Sequence, residues 1–135
     1  MNEAELEKLN DNTFLAEAKE SIGERSWREY LKFVLADDFV LRRSAAEKPD
    51  EDRAEMLESI DRTQNPPKRS VVPGSVRVWG SQEVGVVTST VTLLLQGETK
   101  AFGNVKVFTP GTADRWRCVY WQVSAKPLAA AGAGR

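Results

Sequence analysis

Apolar residues recur at helical spacing through the first half of the chain and at strand spacing through the second. Leu6, Leu9, Phe14, Ala18 and Ile22 follow one another three to five residues apart between charged positions, which predicts an amphipathic first helix ended by Gly23. Ser26 followed by Glu29 has the spacing of a capping box and starts a second helix from Trp27 to Leu35, with Tyr30, Leu31 and Val34 on its apolar face. That helix is expected to stop at an Ala36-Asp37-Asp38 turn and to be followed by a short strand, Phe39 to Arg43. After Pro49 helical spacing returns, with Met56, Leu57 and Ile60 as the buried stripe, until Asn65-Pro66-Pro67 breaks it.

Beyond Val71 the composition shifts to Val, Thr, Trp and Phe, and the pattern predicts strands at Val76–Trp79, Glu83–Gln96, Thr99–Phe108 and Trp116–Ser124. Their short connections favour an antiparallel meander, because parallel neighbours need long crossovers. Helices first and strands afterwards give an α+β fold: three N-terminal helices packed on one face of a curved antiparallel sheet. The expected domain runs over residues 1–126, with 127–135 as a flexible C-terminal tail.

Composition narrows the chemistry. The 135 residues are 41% hydrophobic and 29% charged, enough apolar material for one core. Nineteen Lys and Arg against 20 Asp and Glu leave a net charge of -1, without the basic surplus that nucleic acid requires. The absence of histidine excludes Ser-His-Asp and Cys-His nucleophiles and every imidazole metal site. A single cysteine, Cys118, can form neither an intrachain disulfide nor a thiolate metal site, and points to a reducing, cytoplasmic setting. The acidic N-terminus does not read as a secretory signal, and no segment has the length and apolarity of a membrane span. Neither metal nor cofactor is expected.

Four strings, LADDFV (Leu35 to Val40), DRAEMLESI (Asp52 to Ile60), VRVWGSQEVGVVT (Val76 to Thr88) and RWRCVYWQVSAKP (Arg115 to Pro127), resemble the nuclear transport factor 2-like superfamily and within it the SnoaL-like group. The last is also similar to the final strand of the association domain of calcium/calmodulin-dependent kinases, a member of the same superfamily. The resemblance implies a cone-shaped domain with a pocket open at one end, and a homodimer made through the outer face of the sheet. It implies one of three functions. The first is binding of a small, largely apolar molecule in the cone. The alternatives are a cofactor-independent isomerase, cyclase or dehydratase with an Asp base, or a dimerisation module. Gln122 stands where the similar strand often carries histidine, which counts against catalysis.

Strand parity adds candidate positions. With Phe108 opposite Trp116, the residues Val105, Val107, Val119, Trp121 and Val123 share the face expected to meet the helices. Phe102, Phe108, Trp116, Tyr120 and Gln122 then fall on the other face and are the expected dimer contact, with Asn104, Lys106 and Cys118 beside them. A bulge in this hairpin exchanges Lys106 with its neighbours and turns it inward, where similarity to the kinase domains suggests a cation for a ligand carboxylate. The expected ligand-binding residues are Trp27, Tyr30, Asp38, Arg42 and Trp121. Asp38 is the candidate catalytic base, against the alternative that Asp37-Asp38 is only a turn. Trp79 is expected in the core, Arg53 in a surface pair with Asp50, and Cys118 as a small packing residue.

Overall fold

The computed structural model describes residues 2–44, 49–111 and 115–128, so most of the predicted tail, 129–135, lies outside the described residues. Three helices precede most of the sheet: α1 (Glu3–Glu17), α2 (Trp27–Val34) and α3 (Arg53–Arg62). Six strands follow or intervene: β1 (Leu35–Arg43), β2 (Ser70–Val71), β3 (Arg77–Gly80), β4 (Gly85–Leu95), β5 (Glu98–Pro110) and β6 (Trp116–Lys126). They form one curved, open, mixed sheet in the order β1-β6-β5-β4-β2, with β3 pairing β4 beyond β2 along the same edge.

Local signals start the helices. The Asn2 side chain accepts the Glu5 amide at 2.8 Å to cap α1. At α2 the Ser26 hydroxyl accepts the Glu29 amide at 3.2 Å and itself donates to the Glu29 carboxylate at 3.1 Å. The reciprocal capping box is instead at α3, where the Glu55 amide donates to Asp52 at 2.8 Å and the Asp52 amide to Glu55 at 3.0 Å. Met56, Leu57 and Ile60 are its buried face, as the periodicity predicts. The first helix is shorter than expected. It caps at Ala18, and Lys19 at φ 61° turns the chain away before Ile22.

Two further expectations fail on the sheet. The sheet is not wholly antiparallel, because β1 runs parallel to β6. The crossover rule constrains neighbours in sequence, and these strands are separated by α3 and four other strands. Asp37 and Asp38 are also not a turn. The chain passes from α2 directly into β1, and the two residues lie in an irregular stretch between the pairs Leu35–Cys118 and Val40–Tyr120, both exposed.

The β4–β5 hairpin closes through Gln96 (φ 51°) and Gly97 (φ 80°), the left-handed pair that a two-residue turn between twisted strands requires. The β5–β6 hairpin carries the expected risk. Phe108 pairs with Cys118, but Val107 pairs with Tyr120, so Val119 is an extra residue on β6. This bulge joins the even-numbered side of β5 to the odd-numbered side of β6 and reverses the predicted face of β5. Lys106 pairs with Trp121 on the inner side, and Val105 and Val107 face out opposite Gln122 and Tyr120.

The core lies between the inner side of the sheet and the helices, around Leu6, Phe14, Leu31, Phe39, Phe108 and Trp121. Helix α1 lies so close to β4 that a Cβ on Gly85 would come within 2.8 Å of Leu6.

Candidate functional site

The C-terminal half of α1, the inner side of β1, β4, β5 and β6, and the chain after α3 enclose a cleft of about 530 Å³. Its apolar wall includes Phe14, Leu41, Val91, Leu93, Phe102 and Val123. Five polar side chains line it, Glu17, Arg43, Thr63, Arg69 and Asn104. Arg69 approaches Glu17 at 3.4 Å and donates to the Pro67 carbonyl at 2.9 Å, while Arg43 pairs with Glu51 at 2.8 Å. Burial raises the Glu17 carboxyl above the usual range although Arg69, Lys106 and Arg43 all pull it down. An arrangement of this kind can hold an apolar body against one wall and bond an oxygen at the other. A carboxyl whose protonation moves toward neutrality can also exchange a proton there.

Behind the cleft is a buried polar group. Lys106 is wholly inaccessible and donates to Asn10 Oδ1 at 2.7 Å. Its ammonium lies 3.6 Å from the ring centre of Phe14 and 4.0 Å from that of Trp121. The Trp121 indole donates to Asn104 Oδ1 at 2.8 Å, so two residues that line the cleft, Phe14 and Asn104, belong to the shell of this lysine. Burial pulls the lysine down from 10.5 to about 7, against the opposing attraction of Glu17, Cys118 and Asp11. Among the described residues, the Asn10 amide nitrogen is buried without a partner. Cys118 is fully buried, and burial pushes its thiol up to about 12, consistent with a packing residue.

None of the five expected ligand contacts lines this cleft. Trp121 is core. Trp27 packs at the core edge, with Lys19 Nζ 6.0 Å from its ring centre. Asp38 is exposed in the irregular part of β1, and Arg42 points outward in a two-bond pair with Asp50 at 2.8 and 3.1 Å. Asp38 therefore has no buried, apolar surroundings to make it a base. Of the two consecutive arginines, Arg43 turns inward. Tyr30 is buried, but in a different recess, with its hydroxyl pushed up to about 12 by burial. Arg53 pairs with Asp37 at 3.1 Å, not with Asp50.

The expected dimer residues divide. Phe108 and Trp116 belong to the core, and Phe102 lines the cleft. Tyr120 and Gln122 face outward, joined by a 2.7 Å bond from the tyrosine hydroxyl. Directly opposed pairs extend Tyr120 into a row across the outer side of the sheet: Trp79, Val86, Val107, Tyr120 and Val40. Trp79, expected in the core, is 56% exposed there.

Glu17, Arg69 and Asn10 were not legible as site residues. Asn10, Phe14 and Glu17 are three to four residues apart and share one side of α1. The signal was present, but a search for apolar positions skips two of the three. Among the described residues, no three Asp, Glu, Cys or His side chains gather as a metal site, and no helix is long and apolar enough to cross a membrane.

No family model matches the chain, and no curated protein matches it in sequence. Solved structures do match in shape. An NTF2-like protein from Cytophaga hutchinsonii aligns over 93% of this chain and 100% of its own, with TM-score 0.71 and 13% identity. A putative ketosteroid isomerase from Parabacteroides distasonis aligns over 95% and 91%, with TM-score 0.69 and 14% identity. The CaMKII hub of S. rosetta aligns over 93% and 98%, with TM-score 0.73 and 14% identity. The chain has the NTF2-like α+β cone fold.

Proposed function

We propose that the protein binds a small, largely apolar molecule with one oxygen-bearing end in the cleft beside α1, as the resemblance to the SnoaL-like group implies. The observation that carries this reading is the cleft itself. Its roughly 530 Å³ is within the range of small-molecule sites, and its lining combines a mainly apolar surface with a few polar side chains. Arg69 and Asn104 offer donors to the oxygen, and Phe14, Val91 and Phe102 receive the body. A thermal-shift panel of steroids, polyketide-like aromatics and small acids is expected to yield stabilisers. Thr63→Trp at the rim should abolish the shifts, and Arg69→Gln should weaken those of oxygen-rich compounds most. A panel without stabilisers, or shifts unaffected by both changes, would remove the proposal.

A second reading rests on Glu17, whose raised carboxyl is the cleft's candidate for proton transfer in a cofactor-independent isomerisation or dehydration. Turnover of any panel compound that survives Glu17→Gln would exclude that role.

We also infer that a second copy of the chain covers the outer row of Trp79, Val86, Val107 and Tyr120. An aromatic and valine row on an open sheet face has the composition of an interface. Light scattering that reports a monomer at micromolar concentration contradicts this.

A further inference from the structure

A second recess, of about 320 Å³, lies at the other half of α1 and shares no lining residue with the cleft. It is bounded by Lys8, Leu9 and Asn12 of α1, Tyr30 and Phe33 of α2, and the start of β6 at Arg115 and Trp116, with Glu5 also on its wall. Among the described residues, Nε of Arg115 is buried here without a hydrogen-bond partner, and the hydroxyl of Tyr30, a residue only 4% exposed, has only the side chain of Asn12 beside it. Buried polar atoms are nearly always satisfied, and each one left open costs on the order of 1–3 kcal/mol. The Arg115 donor at this recess therefore has room for an acceptor, with the Tyr30 hydroxyl close by.

The charge around it is lopsided. Arg25 and Arg115 stack on the Phe33 ring, with Cζ 3.8 and 4.0 Å from its centre, and Arg117 donates to the Phe33 carbonyl at 3.2 Å. Among the described residues, none of these three guanidinium groups forms an ion pair with a carboxylate. Burial first, and then the neighbouring charges of Arg117 and Arg25, hold Arg115 below its ordinary value, so an anion beside it offsets part of the local positive charge. Among the described residues of the wall, Lys8 and Arg115 face one carboxylate, Glu5, which leaves a surplus of one positive charge.

We propose that this recess is a binding site for a small aromatic monocarboxylate. The ring lies against Trp116, Phe33 and Leu9. The carboxylate takes the open Nε of Arg115 in the two-pronged geometry that guanidinium groups favour, with Lys8 at the rim. The Tyr30 hydroxyl donates to the carboxylate or to a ring oxygen. Glu5 disfavours a second negative charge, which sets monoacids apart from diacids.

The test is an NMR titration with benzoate, benzamide and phthalate, following the indole N–H of Trp116, identified by its loss in Trp116→Phe. Benzoate should shift that signal saturably, and benzamide and phthalate should bind at least about tenfold more weakly, the size of a lost charge-assisted bond. Arg115→Gln should weaken benzoate by a similar factor, and Tyr30→Phe and Lys8→Gln by several-fold each. Arg69→Gln, in the separate cleft, should leave this binding unchanged, so failure of the cleft proposal does not touch this one. Should Arg115→Gln fail to fold, Lys8→Gln and the comparison of benzoate with benzamide decide. No saturable shift at millimolar benzoate, equal binding of benzamide, or loss of binding through Arg69→Gln overturns the proposal.

Discussion

Along β5 the inner side carries Phe102, Asn104, Lys106 and Phe108, while the outer side carries Gly103, Val105 and Val107. The side that packs against the helices is thus the more polar one, and the side open to solvent is smoother. The inner polar groups are tolerated because each has been given partners. Lys106 has Asn10 and two aromatic faces, and Asn104 has the Trp121 indole. Among the described residues, the outer valines have no such cover. On this strand, therefore, the enclosed polar side chains keep bonding partners while the valines stand on the open side.

The comparison breaks most severely at the residue that links the inner groups. Trp121→Ala removes a buried ring, one face of the lysine's cage and the Asn104 partner, and should cost about 3–5 kcal/mol in urea unfolding. Less destabilisation than an ordinary core leucine would mean that the polar groups relax without it.

Lys106 itself has the opposite sign. Its burial cost exceeds its attractions, so Lys106→Met combined with Asn10→Leu should stabilise the fold by roughly 1–4 kcal/mol, as replacement of buried charged groups by apolar ones often does. The pH dependence follows. The folded lysine releases its proton near 7 and the unfolded one near 10.5, so the unfolded chain binds more protons between those values and stability rises with pH across that window. Below about 7 this contribution is lost. Glu17 works in a lower range, where its raised folded value makes stability fall as pH rises above its ordinary 4.5. Urea midpoints from pH 7 to about 8.5 should climb for the natural chain and stay nearly flat for the double variant; above about 9 the buried Cys118 thiol, raised to about 12, opposes the rise.

The smallest effect on the protomer belongs to the outer side. Val107→Lys should change intrinsic stability by no more than about 0.5 kcal/mol, since it is a substitution on an open strand face. It should nevertheless shift the sedimentation of the protein from dimer to monomer. An unchanged dimer would move the interface elsewhere.

Helices α2 and α3 were legible because their apolar residues keep strict spacing and each is preceded by a capping side chain. The buried stripe of α1 was less so. Leu6 and Phe14 are enclosed as their spacing predicts, but Asn10 and Thr13 are enclosed with them, and hydropathy passes over these two, so the stripe was only partly legible. In the candidate site, the inward turn of Lys106 was seen as an alternative, whereas Asp38 and Arg42 were chosen for chemistry without knowledge of their side. Glu17 was passed over as an ordinary helix-surface acid.

Spacing, caps and turn residues are local, and they determined which segments coil, which extend and where the chain reverses. The side of the sheet that each strand residue occupies has only two values, and the single extra residue at Val119 is enough to exchange them between β5 and β6. Pairing of β1 with β6 joins positions far apart in the chain and leaves no local mark. Burial, which turns Lys106 from a surface cation into a caged amine and Glu17 into a raised acid, arises only when the helices close over the sheet.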